Sequence, residues 1–233
     1  MSSLQNAREA PLWLDSFDES LHGRKPLDGP VSVDVAIIGG GYSGLWTAYY
    51  LLENDPSLRV LIIEKEFCGY GASGRNGGWC EGALAGGTEK YAKRSTMGEA
   101  LRLERTMFET VDEIQRVLDS EDIDCDFHKG GFVSVARNLP QAQRQRSAVE
   151  LARERGTGEE IIRILDADEA RAHVNASNVH SGIFFAPSAV VDPGKMVRGL
   201  AKAVERKGGT IVEGTTALSI SRKSCLCRRC RIS

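Results

Sequence analysis

The most informative part of the sequence is Val33-Asp34-Val35-Ala36-Ile37-Ile38-Gly39-Gly40-Gly41-Tyr42-Ser43-Gly44. Its apolar, β-branched first half predicts a buried strand of a parallel sheet, and Gly39, Gly41 and Gly44 follow at the G-x-G-x-x-G spacing that opens a helix. In this arrangement the first glycine permits a tight turn, the second lets the backbone approach a pyrophosphate, and the third lets the helix pack closely on the strand. The helix would direct its free amides and positive dipole end at that phosphate.

The residues after this stretch supply the context that a dinucleotide-binding unit requires. A helix is predicted over about residues 42–54, and a second apolar strand, Arg59–Ile63, ends at Glu64, about 20 residues beyond Gly44. A carboxylate at this point can accept hydrogen bonds from the hydroxyls of an adenosine ribose. The alternative is a β-α-β unit that binds no phosphate and uses its glycines only for packing; the combination of strand, helix and acid disfavours it.

The composition predicts a globular protein of one large domain or two small ones. The chain has 233 residues, 41% of them hydrophobic, and its 30 basic and 32 acidic residues leave a net charge of -2. So small and dispersed a charge argues against nucleic acid or an anionic membrane as a partner, and no apolar run is long enough to span a bilayer. Residues 1–13 lack the apolar core of a secretory signal, so we expect a cytoplasmic protein.

Neither the cysteines nor the histidines predict a disulfide framework or a metal site. Three of the six cysteines lie in the last nine residues, and the other three are scattered along the chain. His128, His173 and His180 lack the spacing of a ligand set. We therefore predict no metal.

A second glycine-rich stretch lies beyond the second predicted strand, at Cys68-Gly69-Tyr70-Gly71-Ala72-Ser73-Gly74-Arg75-Asn76-Gly77-Gly78-Trp79. So many small residues indicate that the backbone passes close to something flat or anionic, and Arg75 and Asn76 can supply hydrogen-bond donors there. Taken in isolation, the stretch is equally compatible with a flexible surface loop.

Together, these features resemble the FAD-dependent amine and amino-acid oxidoreductases of the D-amino-acid oxidase superfamily. Trp13-Leu14-Asp15 and the second glycine-rich stretch look most like the branch that includes gamma-glutamylputrescine oxidase. The resemblance implies FAD as cofactor, a small-molecule amine or amino acid as substrate and molecular oxygen as second partner. It implies hydride transfer to the flavin from the carbon that bears the amine, hydrolysis of the resulting imine, and peroxide as a product.

The resemblance also implies which residues contact FAD. The first glycine-rich stretch would hold the pyrophosphate, Glu64 the ribose and the second stretch the isoalloxazine ring, with the adenine near Ala217 just past the third parallel strand. The implied contacts are Gly39, Gly41, Tyr42, Ser43, Gly44, Glu64, Lys65, Ala72, Ser73, Arg75, Asn76, Gly77, Gly78 and Ala217. Arg75 is the one candidate for a role in the chemistry, as a charge stabiliser for reduced flavin, and a structural role fits it equally well.

Periodicity and capping signals predict the elements that follow. Apolar residues at helical spacing predict one long helix over residues 88–120, and two strands, Asp126–Lys129 and Phe132–Ala136, would be joined through Gly130-Gly131. Asp166 with Glu169 forms a capping-box pattern. Asp192 followed by proline predicts the start of a helix that leads to a third parallel strand, Thr210–Glu213.

The predicted fold class is α/β: an FAD-binding Rossmann-like parallel sheet, interrupted by an α+β substrate-domain insertion and incomplete at the C-terminus. The predicted divisions are an N-terminal arm at 1–32, the first part of the FAD-binding domain at 33–90, the partial insertion at 91–185, the return helix and strand at 186–220, and an atypical basic, cysteine-rich tail at 221–233. The resemblance ends near Ile220, and the change of composition beyond it suggests a foreign segment.

Three hypotheses remain open from the sequence. The chain is the N-terminal part of a flavin-dependent amine oxidoreductase, or it is a truncated product or binding module without productive flavin. An NAD-dependent dehydrogenase would share the first glycine-rich stretch but would leave the second, residues 71–78, unexplained. No side chain identified from the sequence selects an amine over an amino acid.

Overall fold

The computed structural model describes residues 12–16, 23–221 and 224–229 of the chain. The chain divides into two compact units, the first built from Met1–Gly78, Ser120–Cys125 and Asp192–Ser233, and the second from Trp79–Asp119 and Asp126–Val191. The sequence placed the corresponding domain boundaries near residues 90 and 185.

The elements alternate between strands and helices through much of the chain. The described α-helices are α1 (Tyr42–Asn54), α2 (Thr88–Ala92), α3 (Met97–Ser120), α4 (Leu139–Glu154), α5 (Ala167–His173) and α6 (Pro193–Arg206). The described strands are β1 (Val35–Ile38), β2 (Val60–Ile63), β3 (Trp79–Glu81), β4 (Phe132–Ala136), β5 (Ile162–Leu165), β6 (Ser181–Phe185), β7 (Ser188–Val190), β8 (Thr210–Val212), β9 (Thr215–Ser221) and β10 (Ser224–Arg229). Short 3-10 helices lie at Leu12–Ser16 and Ala72–Gly74.

The first unit contains a parallel sheet in the order β1-β2-β8, which confirms the predicted α/β class and the return of the chain as a third parallel strand. Every residue of β2 is buried, as expected for a strand covered on both faces. Helices α1 and α6 pack against each other and against the sheet. Leu27 of the N-terminal arm and Val33, just before β1, pack against one buried cluster of this sheet, formed by Leu61, Ile63 and Val212.

Two features mark the borders of this sheet. Among the described residues β1 pairs with β2 alone, and its residues alternate between partly buried and exposed, with Ile38 48% exposed. The prediction that this strand is buried is therefore wrong, because β1 lies at the edge of the described sheet. Beyond β8, β9 pairs antiparallel with β10 as a separate two-stranded ribbon. Residues 224–229, which the sequence analysis assigned to an atypical tail, therefore form a strand that pairs with β9.

The second unit carries an antiparallel sheet in the order β4-β6-β5 and a two-stranded antiparallel ribbon of β3 and β7. Helix α4 begins at Asn138, whose side chain accepts a hydrogen bond from the backbone amide of Gln141. Helix α5 begins with the complete capping box predicted at Asp166 and Glu169. In the first unit, α6 starts as predicted, because the Asp192 side chain accepts from the amides of Gly194 and Lys195.

Two secondary-structure predictions are wrong. The long helix over residues 88–120 is two helices, α2 and α3, because Thr96 Oγ1 accepts a hydrogen bond from Glu99 N and starts a new helix. Asp126–Lys129 is not a strand: Asp126 has a left-handed φ of 55°, which breaks the extended backbone, and only His128 forms an isolated bridge, with Val190.

Candidate functional site

The first glycine-rich stretch forms a tight turn between β1 and α1. Gly39 has φ 102°, and its amide donates to the carbonyl of Ile63 at 2.9 Å. A Cβ on Gly44 would overlap the carbonyl oxygen of Gly39, so only glycine allows the helix to start this close to the turn. Gly41 occupies the N-cap position of α1 and has no side chain to cap it. These features fit a loop that presents backbone amides to a phosphate.

Glu64 lies directly beside this turn, at the end of β2. Its Oε2 accepts a hydrogen bond from Gly40 N at 2.7 Å, and its Oε1 accepts from Glu66 N at 2.9 Å. Each carboxylate oxygen can accept a further hydrogen bond, so the half-buried group can still bind a hydroxyl. The neighbouring Lys65 side chain is exposed and lies 3.4 Å from the Glu66 carboxylate.

A hydroxyl links the two glycine-rich stretches. Ser73 Oγ accepts a hydrogen bond from Tyr42 N at 2.9 Å, so the second stretch caps the first turn of α1. A Cβ on Gly41 would lie 2.9 Å from the same oxygen, which explains why no larger residue stands there. The backbone adds a second link, because Gly69 N donates to the carbonyl of Gly40 at 3.0 Å. The sequence identified both stretches but not these contacts.

Asn76 holds the second glycine-rich stretch in one conformation. Its Nδ2 donates to the carbonyls of Ala72 and Ser73, at 3.2 and 3.0 Å, and its Oδ1 accepts from Gly78 N at 2.9 Å. Gly78 has φ 75°, a left-handed value that glycine adopts without strain. The stretch is therefore an ordered loop, and the flexible-loop interpretation is not needed.

Trp13 of the N-terminal arm also contacts this loop. Its indole Nε1 donates to the carbonyl of Asn76 at 2.7 Å. The sequence analysis did not predict this contact. Trp13 and Asn76 lie 63 residues apart, so no local sequence pattern indicates their contact. Covariation between positions 13 and 76 would be needed to predict it.

Arg75 makes contacts within the loop. Its Nε donates to the carbonyl of Tyr70 at 2.5 Å, and its guanidinium lies 4.5 Å from the centre of the Tyr70 ring. This is a cation–π arrangement that fixes the side chain. The contacts account for Arg75 as a structural residue, and its role near the flavin stays a prediction.

A buried carboxylate supports the start of the second stretch. Glu213 is 2% exposed; its Oε1 accepts from Cys68 N at 2.9 Å and from Arg24 Nη1 at 3.1 Å. Arg24 also donates to both carboxylate oxygens of Glu205, at 2.7 Å each. Burial opposes the charge on Arg24, but the hydrogen bonds and the two carboxylates outweigh it and raise its pKa. This ion pair could not be predicted from sequence patterns, because Arg24 and Glu213 are far apart in the chain.

The thiols near the loop are poorly reactive. Burial, with the Glu213 carboxylate nearby, raises the pKa of the Cys68 thiol, and burial also raises the pKa of Cys80. Both are therefore protonated near neutral pH. Within the described part of the chain, no three histidine, cysteine or acidic side chains group as metal ligands would. In the same residues, no helix combines the length and apolar character that crossing a membrane requires.

Ala217 lies in β9, five residues after Val212, the last residue of β8, and is partly buried. It pairs with Cys227 of β10. The structure therefore brings together the two glycine-rich stretches and Glu64 by direct hydrogen bonds, and it shows no such hydrogen bond from Lys65 or Ala217 to them among the described residues.

The sequence matches one protein-family model and several characterised or named proteins. The family is described as FAD dependent oxidoreductase, and the match covers residues 34–230, ten residues beyond Ile220. The chain is 28% identical to a probable oxidoreductase OrdL of Haemophilus influenzae and 30% identical to the gamma-glutamylputrescine oxidoreductase of Escherichia coli. These alignments cover 85% and 80% of this chain, but 45% and 43% of the two relatives.

Solved structures show the same fold. An L-amino acid deaminase from Proteus myxofaciens superposes with a TM-score of 0.70 at 20% identity, over 88% of this chain and 43% of that protein. A glycine oxidase from Bacillus cereus superposes with a TM-score of 0.63 at 21% identity, over 82% of this chain and 50% of that protein. The chain thus spans about half the length, or slightly less, of the proteins that it matches.

Proposed function

The chain belongs to the FAD dependent oxidoreductase family, and from that premise we propose that it binds FAD and corresponds to the FAD-binding half of an enzyme that oxidises an amine or an amino acid. The observation that carries the proposal is the hydrogen bond between Tyr42 N and Ser73 Oγ, which joins the pyrophosphate-binding turn to the loop assigned to the flavin ring. An NAD-dependent dehydrogenase would have no use for the second loop.

The residues present fit FAD. The close approach of Gly41 to Ser73 leaves backbone, and no side chain, at the N-terminus of α1, where the pyrophosphate would bind. Glu64 would accept hydrogen bonds from the ribose, as its free lone pairs allow. Ala72, Ser73, Arg75, Asn76, Gly77 and Gly78 would seat the ring, and Lys65 and Ala217 are further contacts that the family resemblance supports.

The mechanism divides between cofactor and protein. When bound, FAD supplies the acceptor for the hydride that leaves the carbon bearing the amine, and oxygen would restore it with release of peroxide. The protein's part is to hold this group in a fixed orientation: Asn76 fixes the loop on either side of Arg75, and Trp13 fixes Asn76. Glu213 fixes the start of the same loop through Cys68 N.

A gel-filtration experiment tests the proposal. The purified chain is incubated with FAD and passed through a desalting column, and its visible absorbance spectrum is recorded. We expect flavin bands to elute with the protein. Gly41→Ala should lose them, because the added methyl would stand 2.9 Å from Ser73 Oγ where the phosphate must approach. Gly23→Ala is the matched control, because Gly23 lies outside both glycine-rich stretches and no atom lies within 4 Å of its added Cβ.

A colourless protein after this treatment would overturn the proposal. The second candidate, which the sequence also leaves open, is a chain that has no productive turnover. A peroxide assay with a panel of amines and amino acids separates the two once FAD binding is shown, because only the oxidase produces peroxide in proportion to amine. The cytoplasmic location stays a prediction, which cell fractionation would test.

A further inference from the structure

The second glycine-rich loop contains an asparagine that is followed by glycine, at Asn76-Gly77, and Asn76 is the only asparagine of the sequence with this neighbour. Asparagine before glycine is the pair most prone to spontaneous deamidation, because glycine has no side chain to keep its backbone nitrogen away from the asparagine amide. The two residues lie wholly within the first unit, so the geometry around them depends on no contact between the units.

The backbone nitrogen of Gly77 is available to react. Among the described residues its amide donates to no acceptor, and both Asn76 and Gly77 are exposed. The carbonyl of the same peptide bond, that of Asn76, accepts a hydrogen bond from Trp13 Nε1 at 2.7 Å. A donor on this oxygen stabilises the negative charge that the peptide group carries when Gly77 loses its amide proton. The contact from Trp13 therefore makes the nitrogen a better nucleophile.

The side-chain amide of Asn76 is also held for attack. Its Oδ1 accepts from Gly78 N at 2.9 Å, which turns the side chain back along the main chain toward Gly77. Attack at Cγ moves negative charge onto this oxygen, and a donor at such a distance stabilises it. The donations from Nδ2 to the carbonyls of Ala72 and Ser73 oppose the reaction, because they must break before ammonia leaves, but they also keep the side chain from rotating away.

We propose that the Asn76–Gly77 bond is a site of spontaneous deamidation in this chain. The Gly77 nitrogen loses its proton and bonds to Cγ of Asn76, and the Cγ–Nδ2 bond breaks with departure of ammonia, which takes up a proton in place of the one lost. Water then opens the cyclic imide at either of its carbonyls. One opening gives aspartate, and the other gives isoaspartate, in which the main chain runs through the former side-chain carbonyl.

Either product alters the loop. The new carboxylate has no N–H groups, so the hydrogen bonds to the carbonyls of Ala72 and Ser73 are lost. Isoaspartate also adds a carbon to the main chain between positions 76 and 77, which displaces Gly78. Because this loop is the one assigned to the flavin ring, the modified chain should bind FAD less tightly. That consequence rests on the proposed function, whereas the deamidation itself does not.

Peptide mapping tests the site. The purified chain is kept in neutral buffer, digested at intervals with trypsin at weakly acidic pH, where loss of the amide proton is slow, and analysed by mass spectrometry. The tryptic peptide that begins at Asn76 contains no other asparagine. We expect deamidation at Asn76 to be about tenfold faster, or more, than at Asn138 or Asn178, because leucine and valine follow these residues and hinder the backbone nitrogen.

Two variants identify what the loop contributes. Gly77→Ala should slow the reaction by about tenfold or more, and the fold should tolerate it, because no atom lies within 4 Å of the added Cβ. Trp13→Phe should slow the reaction by about threefold, the effect of one hydrogen bond, because it removes the donor to the Asn76 carbonyl. Trp46→Phe is the matched control, since Trp46 stacks on Tyr50 within α1 and its replacement should leave the rate unchanged.

Anion exchange then separates modified from unmodified protein, because the product carries an additional negative charge. We expect the unmodified fraction to retain FAD and the isoaspartyl fraction to bind it about tenfold more weakly. An unchanged Asn76, over a time in which a synthetic peptide of residues 70–82 deamidates, would overturn the inference, and so would equal rates for the wild type and Gly77→Ala. Equal rates for the wild type and Trp13→Phe would overturn the role given to Trp13.

The FAD measurement separates this inference from the proposed function. Equal binding of FAD by both fractions overturns only the consequence of deamidation for the cofactor. If neither fraction binds FAD, the proposed function fails, and the deamidation measured by peptide mapping is unaffected.

Discussion

The two glycine-rich stretches of the first unit are held by different means. The turn at Gly39–Gly44 is held largely by backbone: Gly39 bonds to the end of β2, Gly40 bonds to Gly69, and Gly44 leaves no room for a side chain. Two side chains, Glu64 and Ser73, also accept hydrogen bonds from amides of the turn. The loop at Gly71–Gly78 is held mainly by side chains, because Asn76 and Ser73 make its contacts and Trp13 reaches it from the arm.

This difference teaches where sequence changes will act. At Gly44 in the turn, an added atom meets the backbone carbonyl of Gly39, so substitution should damage folding and cofactor binding together. In the loop, the contacting side chains of Ser73, Asn76 and Trp13 are exposed or only partly buried, so their loss should weaken cofactor binding and leave the fold largely intact. The following predictions test this contrast, beginning with the largest effect.

Gly44→Ala should have the largest effect. The added methyl would overlap the carbonyl oxygen of Gly39, and the side chain of Ile37 stands 3.2 Å away on the other side. We expect the free energy of unfolding to fall by about 3 kcal/mol and FAD retention to be lost. Urea denaturation measures the first and gel filtration the second. Gly23→Ala, at a glycine outside both stretches with open space around the added Cβ, should change neither; equal effects of both changes would show that the loss does not come from the turn.

Arg24→Ala tests the one buried support of the loop. Without Arg24, the carboxylate of Glu213 stays buried beside Cys68 N with no cation, which costs about 3 kcal/mol in comparable pairs. We expect urea denaturation to show a loss near this size. Arg24→Ala combined with Glu213→Gln should recover part of it, because the amide carries no charge to compensate. If the double variant is as unstable as Arg24→Ala, the charge of Glu213 is not the cause.

Asn76→Ala should act on cofactor binding more than on folding. The change removes two donated hydrogen bonds and one accepted one from a solvent-exposed loop. We expect the dissociation constant for FAD, measured by flavin fluorescence, to rise about tenfold, with unfolding changed by less than about 1 kcal/mol. Asn76→Asp keeps the oxygen that accepts from Gly78 N and should lose less affinity. A large loss of stability would show that the loop is as much a part of the core as the turn.

Trp13→Phe should have a smaller effect on the same loop. The phenyl ring keeps an apolar contact but cannot donate to the Asn76 carbonyl. We expect about threefold weaker FAD binding, in line with the loss of one hydrogen bond, and no change in melting temperature. Trp46→Phe controls for the loss of an indole elsewhere in the same unit. Unchanged FAD affinity in Trp13→Phe would show that the arm does not support the loop.

The contrast also explains what the sequence could predict. The turn was predicted correctly in its strand, its helix and the steric roles of Gly39 and Gly44, because these requirements are local. The role of Gly41 at a pyrophosphate stays a prediction. The caps at Asp166 and Asp192 were predicted for the same reason. The break in the long helix was not predicted. The hydroxyl of Thr96 accepts a hydrogen bond at the start of α3, and the spacing of apolar residues does not indicate such a start.

The candidate site was predictable in its positions but not in its contacts. The glycine-rich loop could be recognised by resemblance, whereas the links from Ser73 to Tyr42, from Trp13 to Asn76 and from Glu213 to Cys68 join residues distant in the chain. Such contacts depend on how the whole chain folds, which one sequence does not specify locally.

The smallest effect is expected from Asp34, where the chain enters β1. Its carboxylate accepts from Arg59 Nε, Nη2 and N, and these hydrogen bonds lower its pKa from 3.8 to about 2. Because the folded state binds the proton less tightly than the unfolded state, the contribution is complete above about pH 4 and is lost as the pH falls through 2. The wild type should therefore be slightly more stable than Asp34→Asn at pH 7, and the difference should vanish near pH 2, as measured by urea denaturation at each pH. A difference that persists at pH 2 would mean that the hydrogen bonds of Asp34, and not its charge, make this contribution. The exposed residue that precedes β1 would then stabilise the fold in the same way as the turn, through hydrogen bonds that do not depend on charge.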